Sequence, residues 1–185
     1  MLRSLVSTVL RPLALVVGAF AGLSAVVVLV FTRSPWPSAL LIRRAFNKGG
    51  WQTNAALAPL VPEGVSSQLD LPYRSGDPDA LLDIHRPSGA APGSLPTIVW
   101  VHGGGWVAGG KDQTANYLKI LAAQGFVVVG IDYSLAPGAH YPEPVHQLCA
   151  ALAHLAAHED ELGLDLDRVV LAGDSAGAQI AAQVV

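Results

Sequence analysis

The sequence predicts an α/β fold, a doubly wound and mostly parallel sheet, preceded by an apolar N-terminal helix. Three observations carry this. From Thr97 onward, strand-length apolar runs alternate with helix-length amphipathic stretches. Two glycine turns, His102-Gly103-Gly104-Gly105-Trp106 and Gly173-Asp174-Ser175-Ala176-Gly177, each directly follow such a run. Ahead of them, Leu13 to Phe31 gives nineteen residues without a charge, with Ser24 the only strongly polar one.

As a helix, the Leu13–Phe31 run would span roughly 28 Å, close to the hydrocarbon core of a bilayer. It reads as an uncleaved transmembrane anchor after a basic segment, residues 1–12. A secretory signal peptide and a buried apolar helix are the alternatives. The run is longer than a usual signal core, and its one A-x-A pattern, Ala19-Phe20-Ala21, lies inside it. Arg3 and Arg11 precede it and Arg33 follows, so the positive-inside rule leaves orientation open. Gly18 and Gly22 form a G-x-x-x-G pair that could seat a second helix, which keeps a homodimer open.

Charge is segregated along the chain. Residues 1–48 hold six basic side chains and no acid, whereas the rest holds five basic against fourteen acidic. A basic N-terminal part suits membrane lipid, and an acidic remainder argues against nucleic acid as a partner. Cys149 is the only cysteine. An intrachain disulfide and a thiol metal site are therefore excluded, and Cys149 itself is expected in the core.

Ser34-Pro35-Trp36-Pro37-Ser38 should break the first helix. Ala39 to Asn47 then reads as a short amphipathic helix, either interfacial or packed over the following domain. Gly49-Gly50 and Pro59 to Gly64 punctuate the rest of this juxtamembrane or cap segment, 34–62. The domain proper, 63–185, opens with strand Val65–Tyr73, a turn at Ser75-Gly76-Asp77-Pro78, and strand Leu81–Arg86. A Gly, Ala and Pro-rich loop runs from Pro87 to Pro96. Thr97–Val101 is a strand buried on both faces. A helix is expected over Gln113–Gln124, a buried strand over Phe126–Ile131, and a helix over Pro142–Glu161 striped by Val145, Leu148, Leu152 and Leu155. Arg168–Ala172 is a short strand, and a helix starts at Ala176.

The chemistry lies in the two turns. Gly173–Gly177 is a G-x-S-x-G sequence in a strand–turn–helix setting, which presents Ser175 at a helix N-terminus where positive potential favours an oxyanion. Three consecutive glycines after His102 cost conformational entropy, and their use is to bring backbone N–H groups close to a bound carbonyl oxygen. A phosphate loop is set aside, because no Gly-Lys-Ser/Thr ending follows.

These two turns, together with Asp132-Tyr133-Ser134-Leu135-Ala136-Pro137 and Tyr141-Pro142-Glu143-Pro144, resemble the hormone-sensitive-lipase-like (G-D-x-G) esterases of the α/β-hydrolase superfamily. The resemblance covers about Val65 to Val185. It implies an α/β-hydrolase fold and Ser175 as nucleophile. The oxyanion hole would come from the N–H groups of Gly104, Gly105 and Ala176. His102 would orient the glycine loop with Gly103, and Asp174 would be structural, pointing elsewhere on the turn. Trp106 would line the acyl pocket. A carboxylic ester would be cleaved through an acyl-serine, with no metal and no organic cofactor. Part of residues 34–62 would form a cap.

One departure is large. In this fold the triad acid and histidine follow the serine, yet Ala176–Val185 holds neither. All six histidines precede Ser175, and none of them is expected to serve as the base. The chain therefore reads as a C-terminally truncated, nucleophile-bearing part, inactive by itself and with an open sheet edge. Competing functions are a hydrolase-like module kept for binding or membrane scaffolding, and a peptidase or amidase on the same fold.

Overall fold

The computed structural model describes the backbone of residues 2–185 and the side chains of residues 13–185. The basic segment 1–12, with Arg3 and Arg11, lies outside the described side chains. The chain divides into two compact units, Met1–Leu40 and Leu41–Val185. The first contains α1 (Leu2–Arg33), whose stretch Leu13–Arg33 is long and apolar enough to cross a membrane and has no buried residue. It stops at Arg33 as the Ser34-Pro35 break requires.

Helix α2 runs over Trp36–Leu57, more than twice the length expected from Ala39–Asn47. Gly49 and Gly50 do not end it. Within Leu41–Val185, its half-buried positions Arg43, Asn47, Gly50, Asn54 and Leu57 recur at helical spacing and form one stripe. That stripe packs on the domain: Gly50 lies against the Gln113 side chain, and Asn116 donates its backbone N–H to Asn54 Oδ1 at 2.9 Å and its side-chain amide to the Asn54 carbonyl at 2.8 Å. Docking of this face compensates for the low intrinsic propensity of two glycines.

The sheet contains β1 (Val65–Pro72), β2 (Leu81–Pro87), β3 (Thr97–Val101), β4 (Val127–Ile131) and β5 (Val169–Gly173) in the order β1-β2-β4-β3-β5. It is mixed rather than mostly parallel. Only β4-β3-β5 are parallel; β1 pairs antiparallel with β2, and β2 with β4. The cause is the connections. A parallel neighbour needs a crossover, which α3 (Lys111–Ala122) and α4 (Glu143–Ala157) with α5 (Glu159–Leu162) supply. The β1–β2 hairpin and the helix-free segment 88–96 supply none.

Helices cover both faces. Odd-numbered Val99, Val101, Val129 and Ile131 join Leu148, Ala151, Leu155 and Ile180 from α4 and α6 (Ala176–Ala181). Even-numbered Ile98, Trp100 and Val128 meet Leu118 and Ala122 of α3 on the other face. The period-2 alternation of a strand thus serves two helix layers at once.

Three expectations are corrected. Helix Gln113–Gln124 starts earlier, at Lys111, and ends at Ala122. Pro142–Glu161 is two helices, α4 and α5, divided at His158. Cys149 is exposed, because it falls on the outer side of α4 while Leu148, Ala151 and Leu155 face the sheet.

Candidate active site

Strands β3 and β5 are parallel neighbours with Val101 opposite Gly173. The two glycine turns therefore leave the sheet side by side at the carboxyl ends of the strands, where α/β sheets bind ligands. They are tied together: the Gly103 N–H donates to Asp174 Oδ1 at 2.9 Å. The Asp174 carboxylate thus reaches across to the glycine loop.

The glycines of the serine turn are required by contact. A Cβ on Gly177 would overlap the Val101 carbonyl, and one on Gly173 would lie 2.6 Å from it. With no side chain there, α6 sits directly against the end of β3. Ser175 adopts φ 49° and ψ −114°, a conformation costly for a residue with a Cβ. It is exposed at the start of α6, and its side chain makes no cap hydrogen bond.

The other turn is held as tightly. Gly104 and Gly105 have φ of 123° and 61°, and Trp106 follows at 60°. The Val107 and Ala108 N–H groups donate to the Gly104 carbonyl at 3.3 and 3.0 Å. Among the described residues, the N–H groups of Gly104, Gly105 and Ala176 donate to no partner in the protein. They are donors available to a ligand beside Ser175.

His102 is buried. Its Nδ1–H donates to the Gly103 carbonyl at 2.7 Å, because a carbonyl can only accept. Its ring stacks on Tyr133 at 4.3 Å, and the Tyr133 hydroxyl donates to the His102 carbonyl at 2.9 Å. Burial lowers the His102 pKa, so the ring is neutral and braces the loop. Its Nε2 lies 3.6 Å from Asp132 Oδ1. Burial raises Asp132 to about 6, although the Lys111 backbone N–H at 2.7 Å pulls the other way.

Several residues that support the site have no motif to announce them. The Lys111 ammonium is buried against Asp70, Asp83 and Asp112 at 2.7, 3.0 and 3.1 Å. Burial opposes its charge, but the three carboxylates outweigh this and hold its pKa above the ordinary lysine value. Gln147, fully buried on α4, accepts from the Ser134 N–H at 2.8 Å and donates to Asp77 Oδ2 at 2.9 Å. From α2, Arg43 and Asn47 reach the glycine loop directly. A buried polar residue surrounded by such partners is the signal, and it appears only once the fold brings distant segments together.

A cavity of about 540 Å³ opens beside these turns, lined by Trp106, Tyr141, Val145 and Ile180 with Ser134, His140, Gln179 and Gln183 as polar groups. Trp106 is thus at a cavity wall. A second, of about 280 Å³, lies between Phe46 and Thr53 of α2 and Gly103, Gly104 and Asp174. His140 lines the larger cavity, His85 is buried in β2, His146 lies 3.7 Å from Glu143, and His154 packs on His158. Among the described residues no hydrogen bond joins any histidine to Ser175, and no cluster of His, Cys, Asp and Glu is arranged to hold a metal.

Residues 98–185 match the model of the alpha/beta hydrolase fold family. An acetyl esterase of Salmonella paratyphi A is 40% identical over 157 residues, covering 80% of this chain and 44% of that protein. Among solved structures, esterase B from Lactobacillus rhamnosis is 32% identical with a TM-score of 0.70, covering 80% of this chain and 49% of that one. That structure is described with a tributyrin phosphonate inhibitor. A hyperthermophilic esterase from the archaeon Pyrobaculum calidifontis is 31% identical with a TM-score of 0.66, covering 79% and 46%. The chain spans under half the length of these relatives. Residues 98–185 are thus similar to the alpha/beta hydrolase fold family, and the chain resembles the hormone-sensitive-lipase-like esterases within it.

Proposed function

We propose that this chain is the nucleophile-bearing part of a carboxylic ester hydrolase that acts through Ser175. The observation that carries the reading is the strained Ser175 backbone beside three unengaged N–H donors. Such strain costs on the order of 1–3 kcal/mol, and a module kept only for binding or scaffolding has no use for it. The esterase relatives favour an ester over a peptide or amide as substrate.

In the reaction, Ser175 Oγ attacks the ester carbonyl carbon and its proton passes to a histidine base. The carbonyl oxygen becomes an oxyanion, held by the N–H groups of Gly104, Gly105 and Ala176. Collapse expels the alcohol, which takes the proton from the histidine, and leaves an acyl-serine. Water, deprotonated by the same base, then releases the carboxylic acid. The relatives are more than twice as long as the stretch they share with this chain, and we assign the histidine and its acid to that further length. The cavity beside Trp106 would take a short acyl or alcohol group, in keeping with the acetyl and tributyrin names of the relatives.

We further propose that residues 13–31 anchor the protein in a membrane, that 34–62 form a juxtamembrane and cap segment, and that 63–185 are part of the hydrolase domain. A fluorophosphonate probe tests the chemistry. It should label Ser175 in the full-length protein, with p-nitrophenyl butyrate turnover lost in Ser175→Ala. Folded protein with an unlabelled Ser175 would sink the reading. Full, Ser175-dependent turnover by residues 1–185 alone would instead overturn the assignment of the base.

A further inference from the structure

Gly104 and Gly105, which supply two of the three N–H donors, have no side chains with which to fix themselves. Something else must hold them, and α2 reaches them. The Arg43 guanidinium donates through Nε to the Val107 carbonyl at 2.6 Å and through Nη2 to the Ala136 carbonyl at 2.8 Å. Val107 closes the glycine turn, and Ala136 belongs to the loop after β4. The Ala136 N–H in turn donates to the Trp106 carbonyl at 2.8 Å. One half-buried cation thus binds both loops together from outside. A helical turn further along, Asn47 Oδ1 accepts the Gly109 N–H at 3.0 Å.

We propose that Arg43 and Asn47 are positioning residues that hold the Gly104–Gly109 turn in its donor-presenting conformation, so that α2 acts through the oxyanion site. The proposal rests on the esterase reading for its kinetic consequence, but not for its structural one. Guanidinium suits the role because its rigid fork meets two carbonyls at once, which a single ammonium does not. Misplacing a catalytic donor by about 1 Å can lower a rate roughly a hundredfold without touching substrate.

Amide hydrogen exchange on the full protein tests the structural step. In Arg43→Ala and in Asn47→Ala, exchange of the hydrogen-bonded Val107, Ala108 and Gly109 amides of the turn should rise about tenfold or more. The β3 and β5 amides, 97–101 and 169–173, should be unchanged. Unaltered exchange in the turn, or an equal rise everywhere, would overturn the proposal. With p-nitrophenyl butyrate, Arg43→Ala should lower kcat about tenfold or more while KM moves less than about threefold. Added guanidinium should restore part of that loss, and Arg43→Lys should recover less than the wild-type rate. A raised KM with normal kcat would overturn it. If the wild-type protein shows no Ser175-dependent turnover, the esterase reading fails, and the exchange experiment still decides the role of Arg43 and Asn47.

Discussion

Ser175 has a backbone conformation that its side chain makes costly, φ 49° and ψ −114°, and the G-x-S-x-G sequence around it makes that strain legible. His85 is the opposite case: nothing in its neighbours along the chain marks it as buried. Its Nδ1 meets Ser67 Oγ at 2.7 Å while its Nε2 has no partner. Burial depresses it to about 4. The unfolded chain therefore takes up a proton below about 6.5 that the folded protein refuses, so stability falls as pH drops from about 6.5 towards 4. Asp132, raised to about 6 by burial, acts in the reverse sense. Its folded form holds a proton longer than the unfolded one, and acidification from about 6 to about 4 adds stability. The two partly cancel, and variants separate them. Between pH 7 and 4.5, His85→Gln should lose about 2 kcal/mol less stability than the wild type, by urea denaturation at each pH. An equal loss in both would show that His85 is not titrating.

Among the elements, β3 and β4 were the most legible, because a strand covered on both faces must be apolar along its whole length. Helix α2 was the least, since Gly49-Gly50 reads as a break unless the docked stripe is known. The start of α3 was hidden for a related reason. Lys111 looks like a surface residue, yet it is buried where it joins β1, β2 and α3 through Asp70, Asp83 and Asp112. Asp70 sits at the bulge in β1 with φ 55°, and its N–H donates to Asp83 Oδ1 at 2.8 Å. Lys111→Met leaves the buried Asp83 carboxylate without its cation and should cost about 3–5 kcal/mol in urea unfolding. A loss below about 1 kcal/mol would mean that water reaches the cluster.

For the whole molecule, the apolar stretch Leu13–Arg33 and the domain are separate matters. Anchoring through that stretch predicts that the full protein stays with membranes through an alkaline carbonate wash and is released by detergent. Release by the wash would instead point to a peripheral or secreted protein. By itself, the sequence determined where the two glycine turns fall and which strands lead into them. Ser175, Gly103 to Gly105 and the runs before them are local patterns, and local backbone geometry forces glycine at such turns. It also determined β3, β4, β5 and the break after Arg33. Only the tertiary structure decided the mixed order of the sheet, the exposure of Cys149, the length of α2 and the supports at Arg43, Asn47, Lys111 and Gln147. Those depend on which distant segments meet, and pairing across many residues leaves no periodicity in the chain to read.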